Sequence, residues 1–480
     1  LFIGEWVERM FDANPTGQLV ADVQEADRQL GDVDQRGLEV LAELGHLALV
    51  LEALDHEPPV VRDPKASCYY RQEQQGLLIG PYEKQGAQAW GLNGVDWSFD
   101  MELLTPALDR LEVSLEHAAE RIPCWTNAGI KRVVNGPITH TPDGGFLLGP
   151  AEGLPNYWLC CGASIGITQG PGCGKFLAQW MTHGQTEINV RDMDPRRFGK
   201  WASGDYAIAK SVDEYEQMYQ PHLPGEFREA GRPTRVTPLY EPLKEAGALY
   251  GDSFGWERAR WYAAKNEKEN YSFRRNNSFT AVAEECKAVR ERVGLTDLTS
   301  FSKYEVSGKG AQGFLERLCA NRVPIKAGGI VLSQMLTEKG GIESEATIAC
   351  LAENHYYLLS AAVAELHDFD WLVQHIKKGE DVSVNNVTED FGVLLLTGPI
   401  SRDVLSTLTK ADLTNGSGFT WMRAKEISVS GIPVRALRVS YVGELGWELH
   451  CPMPRLAELH DALMQAGGPH GICRFGTYAM

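Results

Sequence analysis

Four short segments decide how this chain is read: Asn135-Gly136-Pro137-Ile138, Thr141-Pro142-Asp143-Gly144, Leu147-Leu148-Gly149-Pro150 and Gly162-Ala163-Ser164-Ile165-Gly166-Ile167. Glycine and proline recur in them at turn spacing, and the apolar pairs between suit short strands. Just downstream, Gln169-Gly170-Pro171-Gly172-Cys173-Gly174-Lys175-Phe176 looks like a phosphate-binding loop. It fails the test. Such a loop needs a further glycine, separated by four residues from its Gly-Lys pair, and a hydroxyl after that pair; Gln169 and Phe176 hold these positions. No G-x-G-x-x-G opens a strand–turn–helix, so a complete dinucleotide fingerprint is absent as well. Taken alone, the segment is a tight turn. In context it is a glycine-rich loop feeding a helix N-terminus, whose free N–H groups favour partial negative charge.

Outward from this stretch, 480 residues allow about three domains at roughly 150 residues each. Hydrophobic residues at 43% and charged residues at 23% are ordinary for a protein that buries several cores. With 46 basic and 64 acidic residues the net charge is −18, a surface that repels phosphate backbones and anionic lipid. No nucleic-acid partner is expected. No run approaches the ~18 apolar residues of a membrane span. The ten cysteines form no C-x-x-C and no Cys/His ligand spacing. They read as reduced thiols in an intracellular compartment, with no disulfide framework and no metal site. Leu1 at one end and Gly476-Thr477-Tyr478-Ala479-Met480 at the other read as cuts through a longer protein.

Residues 1–45 read as acidic and helical, with no chemistry assigned. Tyr69, Tyr70 and Leu77–Ile79 predict two strands joined near Gln75-Gly76. A helix is expected with Thr105 as N-cap and Pro106 at its first position, closed by Pro123. A short helix carrying Phe176, Leu177, Trp180 and Met181 follows the glycine-rich region. Beyond Thr280 strands and helices alternate, including a helix that presents Val282, Cys286, Val289 and Val293 on one face. The pattern is α+β or α/β.

The four opening segments, in this order, resemble the C-terminal, flavin-contacting half of the dimethylglycine and sarcosine dehydrogenase family, flavoenzymes of the glycine-oxidase-like type. Pro59-Val60-Val61-Arg62-Asp63-Pro64 and Gly80-Pro81-Tyr82-Glu83 continue the resemblance upstream. His46 with Leu49, Val50 and Glu52 matches part of a family strand, HQYLVTE. The resemblance implies FAD, contacted by Asp143, Gly144, Gly149, Ser164, Gly166 and Ile167, with Tyr82 as a catalytic candidate. Reduced flavin gathers negative charge at its pyrimidine edge, which a helix N-terminus stabilises. The family's dinucleotide motif and its FAD-linked histidine have no counterpart in residues 1–45. The chain as given is therefore expected to bind FAD weakly or not at all. Residues 46–200 are expected to form a mixed sheet with a concave open side.

The later half resembles the folate-binding aminomethyltransferase domain shared with the glycine-cleavage T-protein. Thr237-Pro238-Leu239-Tyr240, Gly294-Leu295-Thr296-Asp297, Asn321-Arg322, Gly340-Gly341-Ile342, Gly398-Pro399 and Tyr441-Val442-Gly443-Glu444-Leu445-Gly446-Trp447-Glu448 occur in order. Phe254-Gly255-Trp256-Glu257-Arg258 is typical of the dehydrogenase fusion. By resemblance, Glu345 manages charge and protons near folate N5/N10, Tyr357 is an aromatic folate contact and Glu444 pairs with the pterin. A pterin needs an aromatic wall and carboxylates facing its donors, so the three are expected in one pocket. On residue type alone, Glu343 and Glu345 alternate as on a solvated strand face, and Glu444 between glycines is a turn residue.

The fold class implied is thus the C-terminal half of a glycine-oxidase-like FAD oxidoreductase followed by a T-protein-like aminomethyltransferase domain. Its expected boundaries are 46–200 for the flavin part, 201–236 for a linking domain and 237–480 for the folate part. The implied activity is oxidative N-demethylation of a methylated amine such as dimethylglycine or sarcosine, with the one-carbon unit passed to tetrahydrofolate. Oxygen or an electron-transfer flavoprotein would take the electrons, in bacterial cytoplasm or the mitochondrial matrix. A stand-alone folate-dependent transferase and an inactive fragment remain as alternatives.

Overall fold

A computed structural model describes residues 59–480 apart from 74–75, 93, 101, 128, 265–266 and 417, together with the backbone of residues 9–11. The readings of residues 1–45 and of His46 lie outside the described residues. The chain divides into two units: residues 1–147, 160–188 and 204–222, and residues 148–159, 189–203 and 223–480.

In the first unit, β1 (Arg9–Phe11), β2 (Val61–Asp63), β3 (Cys68–Glu73), β4 (Gly76–Pro81) and β5 (Ile130–Arg132) form one sheet in the order β2-β3-β4-β1-β5. Every pair in it is antiparallel, where a mixed sheet was expected. Parallel neighbours require crossover connections, whereas β2, β3 and β4 follow one another with only a few residues between them. β3 and β4 meet with Glu73 opposite Gly76, matching the expected hairpin. α1 (Glu112–Arg121) starts later than Thr105 and Pro106 suggest. Thr105 instead accepts a hydrogen bond from Asn135 Nδ2 on its carbonyl, and the backbone enters α1 through a 3-10 turn at Leu108–Leu111. α1 lays Ala118 against Cys68, Tyr70, Ile79 and Trp125.

The hairpin strands β6 (Leu147–Pro150) and β7 (Trp158–Cys161) precede α2 (Gly166–His183). α2 takes in the whole phosphate-loop-like segment, with Pro171 inside the helix. Pro171 costs one bond to the carbonyl of Ile167, whose side chain is fully exposed, so water can replace it. Gly184, at φ 70°, closes the helix in the left-handed conformation. α3 (Gly204–Gln217) ends this unit's regular structure.

The second unit contains α4 (Tyr240–Glu245), β8 (Ala248–Ser253), β9 (Trp256–Tyr262), α5 (Ser278–Glu291), β10 (Gly294–Asp297), β11 (Ser302–Ser307) and α6 (Ala311–Leu318). It continues with β12 (Ile330–Leu336), β13 (Ile342–Ala352), β14 (His355–Ser360), α7 (Glu365–Gln374), β15 (Ser383–Asn386), β16 (Phe391–Thr397) and α8 (Ser401–Ser406). β17 (Arg423–Val429), β18 (Ile432–Arg438), β19 (Gly446–Pro452), α9 (Leu456–Gly467) and β20 (Cys473–Arg474) complete it. Two large sheets result, β17-β18-β19-β16-β10-β20 and β12-β13-β14-β11-β15.

Period-two alternation sends successive residues of each strand to opposite faces, which fixes the layers. On the first sheet, Leu394, Leu396, Trp447 and Leu449 pack under Val404, Leu405, Leu456 and Leu459 of α8 and α9. On the second, Val306, Ile348 and Leu358 pack under Phe314 and Leu315 of α6 and Leu372 of α7. The remaining faces meet each other, Ile330, Ala349, Tyr357 and Leu359 against Ala424 and Leu437. This unit is therefore layered helix, sheet, sheet, helix.

Candidate functional site

In the first unit, the Thr141–Gly145 turn is knotted by its own side chains. Asp143 Oδ1 accepts from Gly145 N at 3.1 Å, and Thr141 Oγ1 donates to Gly145 O at 2.6 Å. Gly144 sits at φ 72° and Gly162 at φ 79°, conformations that favour glycine. A Cβ on Gly162 would stand 2.6 Å from Thr141 Cγ2, so the two glycine-rich segments touch where no side chain fits. Ser164 lies in the turn entering α2, and Ile165 offers α2 no side-chain cap. Gly166, Gly170, Gly172 and Gly174 each face open space, with nothing within 4 Å of an added Cβ. The uncapped N-terminus leaves free N–H groups that favour negative charge. Gly149, at φ 141° in β6, falls in the second unit.

Tyr82 is buried among aromatic rings. It stacks on Tyr219 at 4.9 Å and lies 5.6 Å from Tyr215, whose hydroxyl donates to Glu83. Arg62 covers the Tyr219 ring at 4.2 Å. Burial pushes the Tyr82 phenol far above its usual range, which keeps it protonated.

In the second unit the inter-sheet faces carry a polar array. Tyr357 is fully buried, its ring edge-on to Phe391 and His450 and beneath the Arg435 guanidinium at 4.4 Å. Its hydroxyl lies 3.1 Å from His450 Nδ1, and His450 Nε2 lies 3.3 Å from Glu448 Oε2. Burial lowers the His450 pKa and holds the imidazole neutral, although Glu448 opposes this. A carboxylate can only accept, so Nε2 carries the proton and Nδ1 accepts from Tyr357. Arg435 joins the sheets by donating to Glu305 on β11 at 3.1 Å and to Glu426 on β17 at 2.9 Å. Lys303, on the same face of β11, is fully buried and donates to the carbonyls of Thr299 and Phe301, both at 2.7 Å. Burial pulls its pKa down to about 7, against the attraction of Glu365, Asp297 and Glu448.

Glu345 and Tyr357 share a sheet face, since Ala349 opposes Tyr357 and lies an even number of residues from Glu345. Glu345 is at the exposed end of that face and accepts from Gln334 Nε2 at 2.7 Å. Glu343 does not join it. A bulge at Met335/Leu336 breaks the alternation, and Glu343 turns to His367 on α7 at 2.7 Å. Burial disfavours the His367 cation, yet the hydrogen bonds it donates to Asp368 and Glu343 outweigh it and raise the pKa. Glu444 stands on the loop before β19, 3.2 Å from Arg290 of α5. Glu345, Tyr357 and Glu444 thus each bond a different partner. The carboxylate of the Tyr441–Glu448 segment that faces Tyr357 and His450 is Glu448. Strand alternation with Trp447 and Leu449 was the signal for it; Arg435, His450 and Lys303 carried none. Among the described residues, no group of three or more His, Cys, Asp or Glu is placed to hold a metal ion.

Known families match in the same order as this geometry. Residues 25–180 match the FAD dependent oxidoreductase family, residues 183–237 the FAD dependent oxidoreductase central domain, and residues 239–480 the GCVT N-terminal domain. The chain is 41% identical to human dimethylglycine dehydrogenase over 90% of its own length and 50% of that protein. It is 30% identical to human sarcosine dehydrogenase, covering 92% of this chain and 52% of the relative. It is also 30% identical to the mouse pyruvate dehydrogenase phosphatase regulatory subunit, covering 89% and 49%. The chain spans about half the length of the curated relatives it matches. An FAD oxidoreductase region followed by a GCVT domain, matched to both dehydrogenases over nine-tenths of the chain, makes this chain a member of the dimethylglycine and sarcosine dehydrogenase family.

Proposed function

We propose that the full-length protein oxidatively N-demethylates a methylated amine such as dimethylglycine or sarcosine and passes the one-carbon unit to tetrahydrofolate. The observation that carries this reading is the inward-facing polar array of the GCVT domain in a chain that also holds the flavin-type glycine segments. FAD, when bound, supplies the two-electron acceptor for the N-methyl C–H bond. Asp143, Gly144, Ser164, Gly166 and Ile167, all of the first unit, are the residues proposed to hold it. The N-terminus of α2 favours negative charge on whatever lies against it, and Tyr82 closes an apolar wall.

In the folate part, Tyr357 is proposed as the aromatic wall, oriented through His450. Glu345, exposed and held by Gln334, is proposed to exchange protons with the transferred unit. The Tyr441–Glu448 segment supplies the pterin's carboxylate, either Glu444 at the rim beside Arg290 or Glu448 inside beside His450. Oxygen or an electron-transfer flavoprotein is the proposed electron acceptor, and bacterial cytoplasm or mitochondrial matrix the compartment. No helix among the described residues is long and apolar enough to cross a membrane.

The test uses full-length protein loaded with FAD and given dimethylglycine or sarcosine. Substrate-dependent bleaching of flavin absorbance is expected, with methylene-tetrahydrofolate replacing free formaldehyde when tetrahydrofolate is present. Unbleached flavin with every N-methyl amine tried would end the proposal and favour a regulatory role, as one relative's name carries.

A further inference from the structure

The arginines around β9 are matched to carboxylates with one exception. Arg232 makes a two-pronged pair with Glu257, Arg235 pairs with Glu365 and Glu389, and Arg260 pairs with Glu269. Arg258, between them on β9, takes no hydrogen bond or ion pair from any described residue, and its Nε is buried without a partner. Burial lowers its pKa, only partly offset by Asp297 and Tyr441. Asp297 is near but committed, accepting from Thr299 N at 2.8 Å and Thr237 Oγ1 at 2.9 Å. A half-buried guanidinium with no carboxylate bonded to it is costly unless something outside these residues completes it.

Its surroundings say what that is. The guanidinium carbon lies 5.8 Å from the Phe301 ring, and Phe301 meets Tyr441 edge to face at 6.5 Å. The residues just before these two rings, Ser300 and Ser440, also have buried hydroxyls without a partner. Arg258 thus lies beside a pair of aromatic rings, one of them, Tyr441, mostly exposed.

We infer that Arg258 seats the carboxylate of a ligand whose flat body lies against Phe301 and Tyr441. A planar fork of N–H donors suits a carboxylate. The inference rests on the folate reading, because tetrahydrofolate carries an aromatic ring ending in glutamate carboxylates. The amine substrate's own carboxylate is the second source with the same chemistry.

The experiment compares full-length wild type, Arg258→Met and Arg258→Lys by calorimetric titration with p-aminobenzoyl-glutamate and, separately, with dimethylglycine. Arg258→Met is expected to weaken p-aminobenzoyl-glutamate by about 10- to 100-fold, the scale of a hydrogen bond to a charged group. Arg258→Lys should recover part of that loss, and the dimethyl ester of the probe should not bind wild type. Weakening of dimethylglycine instead assigns the seat to the amine's carboxylate. Equal affinities in wild type and Arg258→Met for both probes overturn the inference. So does a ligand-free melting temperature several degrees lower in Arg258→Met, since an unpaired charge should be released, not missed. Retained p-aminobenzoyl-glutamate binding by a wild type that fails to bind tetrahydrofolate would overturn the folate reading and leave the seat standing.

Discussion

Replacing Arg435 by methionine tests the inter-sheet array most directly, because this side chain touches both sheets. The methionine keeps the apolar stem and removes the guanidinium. Four interactions go with it: bonds to Glu305 at 3.1 Å and Glu426 at 2.9 Å, and contacts at 4.4 Å and 4.8 Å over the rings of Tyr357 and Phe391. The bond to Glu426 adds little, since that carboxylate is 62% exposed. Glu305 is 23% exposed, so its charge-assisted bond is worth about 1.5 kcal/mol, the lower end of its class. Two partly desolvated cation–π contacts add about 0.5–1 kcal/mol each. The total, about 3 kcal/mol, corresponds to roughly two decades of amide protection in β14 and β18. Hydrogen exchange followed by mass spectrometry reads it on peptides from those strands. A cycle with Glu305→Gln should return a coupling of about 1–1.5 kcal/mol. Protection reduced less than fivefold, or additive effects in the cycle, would refute a clamp between the sheets.

Lys303→Met should make stability less dependent on pH. Burial brings the lysine's pKa to about 7 in the folded chain, against 10.5 for a free lysine, so the unfolded chain binds more protons between those values. Wild type should gain about 3 kcal/mol relative to the variant from pH 6.5 to 9.5, measured by urea denaturation; a pH-independent difference would mean Lys303 stays charged. Gly162→Ala should lower stability by about 2 kcal/mol or more, because a Cβ meets Thr141 Cγ2 at 2.6 Å and φ is 79°; an unchanged melting temperature would show that the turn yields. For tetrahydrofolate, Glu448→Gln should weaken binding about tenfold or more while Glu444→Gln leaves it within a factor of about two. The reverse order in a binding titration would place the pterin carboxylate at the rim.

The second unit was legible because its strands and helices follow their apolar periods, as in Phe391–Thr397 and Leu456–Gly467. Turn chemistry was legible too, since Asp143 and the glycines at 144 and 162 do what their residue types suggest. The helical fate of Gln169–Phe176 was not, because glycine and proline punctuate loops far more often than they sit inside helices. Nor was the partner of each acid. Glu343 and Glu345 are indistinguishable by alternation, and only the hydrogen-bond register of β12 and β13 separates them. Contacts between distant strands, such as Tyr357 with His450, leave no trace in local spacing.

That register has a consequence for how this strand can change over time. The bulge opposite Met335/Leu336 is one residue of extra chain, so length matters here more than composition. That residue is Glu343 itself, since Met335 faces Ser344 and Leu336 faces Ile342. Its deletion would restore strict alternation and bring Ile342 to the position two before Glu345, while taking away the carboxylate that holds His367 of α7. An unbroken ladder and the tether to α7 are therefore mutually exclusive at this point of β13.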